Sequence, residues 1–416
     1  MRTHKKCILP TFLILLTLVT GCTSLAVPVS TDERSIDLHT LYATLEKEHK
    51  NLYHQTSKEV FRAEYESALL SAPTLNEIDF YFTASRLAAL AGDSHTSVSL
   101  TRELAQSLNV YPLQVGYVDG AWRLIVTERD QSFLLGNEIL SINGVSFTEI
   151  VERARPLVSY DNEVWFRQRL SQMLNIAELY HYLGVVEHAG QALTITLDKQ
   201  ENYIVEPLTV EAFYQGEYST LYDVKPRTAA NPVYYRSLLL EQDSILFVQY
   251  NACASDSEYP IDQFIEETLQ HIAKHQFKKV IVDLRYNGGG NSRLFEPMIK
   301  GLAALQKELN FSLDVLIGER TFSSAIMNAV QLKQRTEARL VGSETGGSVN
   351  HYGELKYFTL PNSSLVVHYS TKYFVMDKSH ERGSLKPDLV IEASVDDLLN
   401  GVDTVVQAIL GREDDQ

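Results

Sequence analysis

The sequence predicts an α+β chain of several domains, with a helical N-terminal part, a β-rich middle and an α/β core. Apolar residues recur at helical spacing between about 35 and 91, and short strands with tight turns dominate from 105 to 215. From about 244 onward, strands and helices alternate, as in sheets with crossover connections. With 416 residues, 44% of them hydrophobic, the chain is long enough for two or three domains with buried cores.

The N-terminus has the pattern of an export signal. Basic residues precede an apolar run from Ile8 to Val19, which is short for a membrane span. The run ends in Val19-Thr20-Gly21-Cys22, which resembles a bacterial lipobox and implies lipidation of Cys22. An ordinary signal peptide with an incidental cysteine is the alternative. We therefore predict an exported protein that is lipid-anchored to the cell envelope. Residues 1–21 would form its signal peptide and residues 22–34 a tether.

Charge and cysteine content restrict the class of protein further. The formal net charge is -16, which argues against nucleic acid as a partner. The cysteines are Cys7 within the signal, Cys22 at its end and Cys253, so no disulfide can form within the mature chain. Cys253 follows an apolar run, and we predict that it is a buried structural thiol.

The predicted helical domain, 35–104, ends near a histidine. A helix over Ile78 to Leu90 is stopped by Ala91-Gly92. His95 therefore lies just past a helix end, in the small polar stretch Gly92-Asp93-Ser94-His95-Thr96. A free imidazole titrates near neutrality and can take a proton from a hydroxyl, although a solvated loop histidine is the alternative.

The β-rich middle, 105–215, is predicted to contain a recognisable module. The stretch Leu134 to Val145, with the strand Ile139 to Ile142 and the turn Asn143-Gly144, resembles the middle of a PDZ domain. A helical insertion, roughly Glu149 to Leu183, interrupts the pattern before a strand resumes at Ala192. A β-module with only a structural role is the alternative.

The α/β core, 216–416, carries two further motifs. The strand Val280 to Leu284 runs into Asn287 and three glycines, of which Gly289 and Gly290 permit close approach of a substrate to backbone N–H groups. The strand Ser312 to Ile317 is followed by a turn and by Ser323-Ser324, which open a predicted helix to Arg335. A hydroxyl at a helix N-terminus lies beside free N–H groups, although serine is also a common N-cap.

Taken together, these motifs resemble the C-terminal-processing (tail-specific) serine protease family, which includes the core of tricorn protease. Residues 283–290 match its D-L-R-x-N-x-G-G motif, and 321–325 match its T-x-S-[AS]-[AS] motif. The resemblance implies a crotonase-like core with Ser323 as nucleophile. It also implies an oxyanion hole formed by the N–H of Ser324 with that of Gly289 or Gly290.

The resemblance also identifies the base. Many members use a lysine about 25 residues after the serine, but 342–348 contain none, and Lys356 lies inside a predicted strand. His95 matches the base of the tricorn-type branch. In that branch a serine beside the histidine and a late glutamate complete the relay, which implies Ser94 and Glu381 here. Two other acids remain candidates for the last role: Glu344 and Glu354.

The function implied is a membrane-anchored serine endopeptidase that cleaves peptides or unfolded proteins. With an unperturbed histidine as base, activity is expected to fall as pH drops through roughly 6 to 7. No cofactor or metal is predicted, since His271 and His275 have helical spacing without the glutamate of an H-E-x-x-H motif. The alternative is a non-catalytic, lipid-anchored binding or scaffold protein on the same fold. The sequence does not indicate an oligomeric state.

Overall fold

The computed structural model describes residues 31–199, 202–241, 244–380 and 382–411. The predicted signal peptide, the predicted lipidation site Cys22 and the predicted relay acid Glu381 lie outside these ranges. Within the described ranges, helices and strands are mixed and the strands form five sheets. No helix among the described residues is both long and apolar enough to cross a bilayer.

The N-terminal part is helical, as its apolar spacing predicts. Side chains of Ser57 and Asn76 accept hydrogen bonds from the first free N–H groups of the second and third helices, which fixes where those helices begin. The apolar faces of the helices pack on Leu360, Leu365 and Val367 from much later in the chain. The elements are α1 (Thr31–Glu48), α2 (Lys58–Ser71), α3 (Glu77–Ala89), β1 (Ser97–Ser99) and α4 (Arg102–Ser107).

The middle of the chain is a β-rich module with helices inserted into it. Asn143 in the predicted turn has positive φ, as does Asp119 between β3 and β4, and the predicted strand Ile139–Ile142 is present. The predicted helical insertion consists of three helices, α5 (Phe147–Ala154), α6 (Glu163–Ser171) and α7 (Ala177–Tyr182). The other elements are β2 (Asn109–Val110), β3 (Gln114–Val118), β4 (Ala121–Glu128), β5 (Ile139–Ile142), β6 (Val145–Ser146), β7 (Leu193–Leu197), β8 (Tyr203–Val205), β9 (Leu208–Thr209), α8 (Val210–Gln215) and β10 (Tyr218–Thr220).

These strands form three small sheets, with the strand orders β10-β4-β3, β6-β5-β7-β8 and β2-β9. One apolar core joins the sheets to the insertion, with Phe147, Phe166 and Tyr180 from the helices packed against Ile142 and Ile195 from the strands. The insertion is therefore an integral part of the module's core. The resemblance of the β-rich module to a PDZ domain stays a prediction, and so do the domain boundaries.

The α/β core is built on a six-stranded sheet. Its order is β11-β12-β13-β14-β15-β18, and every pair except β11–β12 is parallel. Strands β12 and β13 are buried along their whole length, and apolar residues predominate in both, as is usual for the inner strands of a parallel sheet. The elements are β11 (Tyr235–Leu240), β12 (Ile245–Tyr250), α9 (Ile261–His275), β13 (Lys279–Asp283), α10 (Glu296–Leu309), β14 (Ser312–Ile317), α11 (Ser324–Arg335), β15 (Arg339–Gly342), β18 (Leu389–Val390), α12 (Val395–Leu399) and α13 (Thr404–Leu410).

A long hairpin leaves this core and returns to the N-terminal part. Its strands are β16 (His351–Thr359) and β17 (Val366–Phe374). Strand β1, which begins two residues after His95, pairs antiparallel with β17. This pairing ties the loop that carries His95 to the C-terminal third of the chain.

Candidate active site

The loop before α11 holds Ser323 in an unusual backbone conformation. Strand β14 ends at Ile317, and the Thr321 hydroxyl donates to the carbonyl of Leu284 at 2.9 Å, which fixes the turn between strand and helix. Ser323 then has φ 51° and ψ -123°, outside the regions that non-glycine residues normally occupy. Such strain persists where the surroundings enforce it, and a sharp strand-to-helix turn of this kind exposes a serine hydroxyl for attack.

The glycine loop packs directly against this serine. The Phe322 N–H donates to the carbonyl of Asn287 at 3.0 Å, which joins the two loops. Gly289 has φ 106°, and a Cβ there would lie 2.8 Å from the Ser323 Cβ and 3.1 Å from the Ser324 nitrogen. Only glycine fits this position, for reasons of both backbone conformation and space.

The structure distinguishes between the predicted oxyanion donors. The N–H of Gly289 donates to the side-chain oxygen of Asn287 at 2.9 Å and is therefore engaged. For the N–H groups of Ser324 and Gly290, no partner is found within the described parts of the chain. The Ser324 hydroxyl donates to the Gly290 carbonyl at 2.6 Å, which holds these two residues together. Of the three predicted donors, the N–H groups of Ser324 and Gly290 are therefore the two that have no partner among the described residues.

His95 reaches Ser323 from the N-terminal part of the chain. Its Nε2 lies 3.3 Å from the Ser323 Oγ, although 228 positions separate the two residues. The buried carboxylate of Asp93 organises this loop by accepting the N–H of His95 at 2.9 Å and both the N–H and the hydroxyl of Thr96, at 3.0 and 2.8 Å. It also accepts from Ser370 in β17 and from His49 after α1, at 2.8 and 2.9 Å.

The environment of His95 favours the neutral imidazole. Burial lowers the pKa of His95 to about 4, while the Asp93 carboxylate acts in the opposite direction. The ring stacks on Phe322 at 4.7 Å and on His351 at 5.8 Å between centroids. Its Nδ1 has no hydrogen bond of normal geometry within the described residues, although the backbone of Tyr352 acts on the ring and raises its pKa. A neutral imidazole at Nε2 can accept the Ser323 proton.

The other residues considered from the sequence have different surroundings. Ser94 is adjacent, but its hydroxyl donates to Asp161 at 2.5 Å. Glu344 forms an ion pair with Lys386 at 3.7 Å, and Glu354 is exposed in β16. Lys356 is exposed in β16 too. The relay roles predicted for Ser94 and Glu381 stay predictions.

The insertion of the β-rich module contacts the site. Trp165 of α6 stacks on Phe322 with ring centroids 3.8 Å apart and an interplanar angle of 6°. Asn162, the N-cap of α6, donates to the carbonyl of Gly346 at 2.8 Å. The insertion thereby contacts the serine loop and the segment after β15.

Several of these neighbours are not recognisable from sequence. Asp161, His351 and Trp165 belong to no motif, and only their tertiary contacts reveal them. Asn287 is the exception, since it lies inside the glycine motif. Cys253 behaves as the sequence predicts, because it is buried and its burial raises the pKa of the thiol to about 11.

No cluster of three or more potential metal-ligating side chains occurs among the described residues. No protein-family model and no curated protein matches the sequence. Among solved structures, mature CPAF complexed with lactacystin is similar, with 13% identity, coverage of 89% of this chain and 96% of that chain, and a TM-score of 0.63. A mutant of CPAF is similar over 92% of this chain and 98% of the other, with 13% identity and a TM-score of 0.62. At this level of identity the likeness concerns the fold, and the chain shares the fold of CPAF.

Proposed function

We propose that the protein is a serine endopeptidase of the C-terminal-processing type, with Ser323 as nucleophile and His95 as base. The observation that carries this proposal is the 3.3 Å approach of the His95 Nε2 to a Ser323 hydroxyl held on a strained turn. The proposed substrates are peptides or unfolded protein segments, because the serine and glycine motifs resemble those of the C-terminal-processing proteases.

The proposed reaction is an acyl transfer through Ser323. Ser323 attacks the peptide carbonyl while His95 takes the hydroxyl proton through Nε2, and His95 later returns this proton to the leaving amine. The N–H groups of Ser324 and Gly290 donate to the oxygen that becomes negative in the tetrahedral intermediate. Loss of one such donor typically costs about 3 kcal/mol of transition-state stabilisation.

The test compares wild type with Ser323→Ala, Ser324→Ala and His95→Ala in hydrolysis of a peptide library and in labelling by a fluorophosphonate. Ser323→Ala is expected to abolish labelling and hydrolysis. Ser324→Ala keeps the nucleophile and its own backbone N–H, so labelling should persist at a reduced rate. Full activity of Ser323→Ala would refute the assignment. Lactacystin, which CPAF binds, is a suitable competitor in the same assay.

A non-catalytic, lipid-anchored binding or scaffold protein is the second candidate, since a fold by itself does not specify a function. The same labelling experiment separates the two. A folded wild type that neither reacts with fluorophosphonates of several sizes nor hydrolyses any library peptide would favour the binding protein.

Export and lipid anchoring are a separate part of the proposal, supported by the N-terminal residues alone. Radiolabelled palmitate should be incorporated into wild type and should be lost in Cys22→Ala, and membrane fractionation should show release of that variant. A Cys22→Ala variant that stays in the membrane fraction would contradict the anchor without affecting the peptidase proposal.

A further inference from the structure

The loop that carries His95 is held from two sides. On one side, the Asp93 carboxylate accepts hydrogen bonds from the loop itself, from β17 and from His49, so this anchor lies within the N-terminal part and the hairpin. On the other side, the hydroxyl of Ser94 donates to the Oδ1 of Asp161 at 2.5 Å. Asp161 directly precedes the N-cap of α6, so the second anchor comes from the insertion of the β-rich module.

Asp161 lies in a part-buried, charged setting. Burial raises the pKa of its carboxyl, while the hydrogen bond from Ser94 and the charge of Arg382 act in the opposite direction. Asp93 and His351 also face it, and His351 stacks on the His95 ring. When His95 takes the Ser323 proton, the stacked pair of imidazoles gains a positive charge. The Asp161 carboxylate, which interacts electrostatically with His351, is a negative charge near that pair.

The neighbour of Asp161 extends the connection to the nucleophile side of the site. The Asn162 amide donates to the Gly346 carbonyl at 2.8 Å and to the Ser348 hydroxyl at 3.3 Å. The carbonyl of Ser348 in turn accepts a hydrogen bond from the His351 Nδ1 at 2.9 Å. Two consecutive residues of the insertion thus contact the base loop and the segment that leads into β16.

We infer that Asp161 is a positioning residue for His95, acting through the Ser94 hydroxyl. Ser94 has a single proton, and its donation to Asp161 fixes the hydroxyl and the backbone one residue before His95. Because the Asp93 carboxylate accepts the His95 N–H, Ser94 and His95 are then each held by a carboxylate. Among the described residues, the acid that accepts the Ser94 proton is Asp161 of the insertion, and the role predicted for Glu381 stays a prediction. This inference rests on the proposed peptidase function.

The test uses the full mature chain and measures kcat, KM and the rate of fluorophosphonate labelling between pH 4 and 8. The variants are Asp161→Ala, Asp161→Asn, Ser94→Ala, the Asp161→Ala/Ser94→Ala pair, Glu381→Gln, and the exposed control Asp262→Ala on α9. Asp161→Ala and Ser94→Ala should each lower kcat about tenfold or more with little change in KM, because both disturb the position of the base. The double variant should be no worse than the single ones, since both remove one interaction.

Asp161→Asn supplies the readout that a merely structural role would not move. It keeps an oxygen that accepts from Ser94 but carries no charge, so it should restore most of the activity at neutral pH. Asp161→Ala removes this acceptor, so activity should follow whether an oxygen is present at position 161 and not whether that position carries a charge. No rescue by Asp161→Asn relative to Asp161→Ala would overturn the inference.

The other outcomes are equally decisive. Asp161→Ala activity within about twofold of wild type, while Ser323→Ala is inactive, refutes the positioning role and leaves the peptidase proposal standing. A large loss in Glu381→Gln with none in Asp161→Ala would assign the acid to Glu381 and has the same consequence. Wild type that neither hydrolyses peptides nor reacts with the probe refutes the peptidase proposal itself. If Asp161→Ala fails to fold, Ser94→Ala and Asp161→Asn decide the question.

Discussion

At the scale of single residues, the site depends on backbone conformations that side chains normally disfavour. Ser323 has φ 51° although it has a Cβ, and Gly289 has φ 106° while packed against the Ser323 Cβ. Nonglycine residues in such regions cost on the order of 1 to 3 kcal/mol each. The glycine loop and the serine turn therefore constrain one another.

The glycine loop allows a prediction with an internal control. Gly289→Ala should lower the free energy of unfolding by about 1 to 3 kcal/mol and abolish most of the activity, because its Cβ would meet the Ser323 Cβ at 2.8 Å. Gly288→Ala, where a Cβ has nothing within 4 Å, should stay near wild type in both. Urea unfolding and peptide hydrolysis measure the two effects, and equal behaviour of the two variants would contradict the packing described here.

The pH dependence of activity is a second prediction at this scale, and it replaces the expectation from sequence. Since burial lowers the pKa of His95 to about 4, the neutral base is present above that pH and is lost as the pH falls through it. The rate of peptide hydrolysis should therefore not fall between roughly pH 7 and 6, as an unperturbed histidine would require. A half-maximal rate near pH 6.5 would show that His95 is more solvated than in this structure.

At the scale of elements, one short strand assembles the catalytic pair. β1 has three residues, and its pairing with β17 carries His95 to the start of β16 and hence to the serine loop. The sequence cannot indicate that β1 and β17 pair, because strand pairing over such a separation leaves no local pattern.

The buried carboxylate of Asp93 should contribute to stability, because it links the His95 loop to β17 and to His49. Asp93→Asn should lower the free energy of unfolding by about 3 kcal/mol at pH 7, because Asp93 and His49 are fully buried partners at 2.9 Å. The hydrogen bond from His49 keeps the pKa of Asp93 below its usual value against the effect of burial, so its carboxylate contributes fully above about pH 4. The difference between wild type and variant should therefore shrink below that pH.

Asp37→Asn is the matched control for this experiment. Asp37 is also fully buried, and it accepts backbone N–H groups from Asn362 and Ser363 at 3.0 and 2.7 Å. Both variants should lose stability in urea unfolding, but only Asp93→Asn should lose activity per folded molecule. An equal loss of activity in both would mean that Asp93 has only a structural role.

At the scale of the whole molecule, three parts of the chain meet at Ser323. The N-terminal part supplies His95, the α/β core supplies the serine and the glycine loop, and the insertion of the β-rich module supplies Trp165 and Asp161. None of these parts contains a complete site. A change in the placement of the insertion would therefore reach both the nucleophile and the base.

The two tryptophans of the chain report on this arrangement. Trp165 stacks on Phe322 beside the nucleophile, whereas Trp122 packs edge-on against Tyr117 and Phe147 inside the β-rich module. Covalent labelling of Ser323 should change the intrinsic fluorescence of Trp122→Phe, in which Trp165 remains. The same labelling should leave the emission of Trp165→Phe nearly constant. A reversed result would place the conformational response inside the module instead.

Much of this protein is decided by its sequence alone. The helices, most strands, the turn at Asn143-Gly144 and the serine and glycine motifs follow from apolar spacing and from turn residues, which are local properties. Other features depend on tertiary contacts between distant residues. They include the low basicity of His95, the engagement of the Gly289 N–H by Asn287 and the acid that faces Ser94. Burial and hydrogen bonding set each of them, and neither exists before β1, the insertion and the core come together.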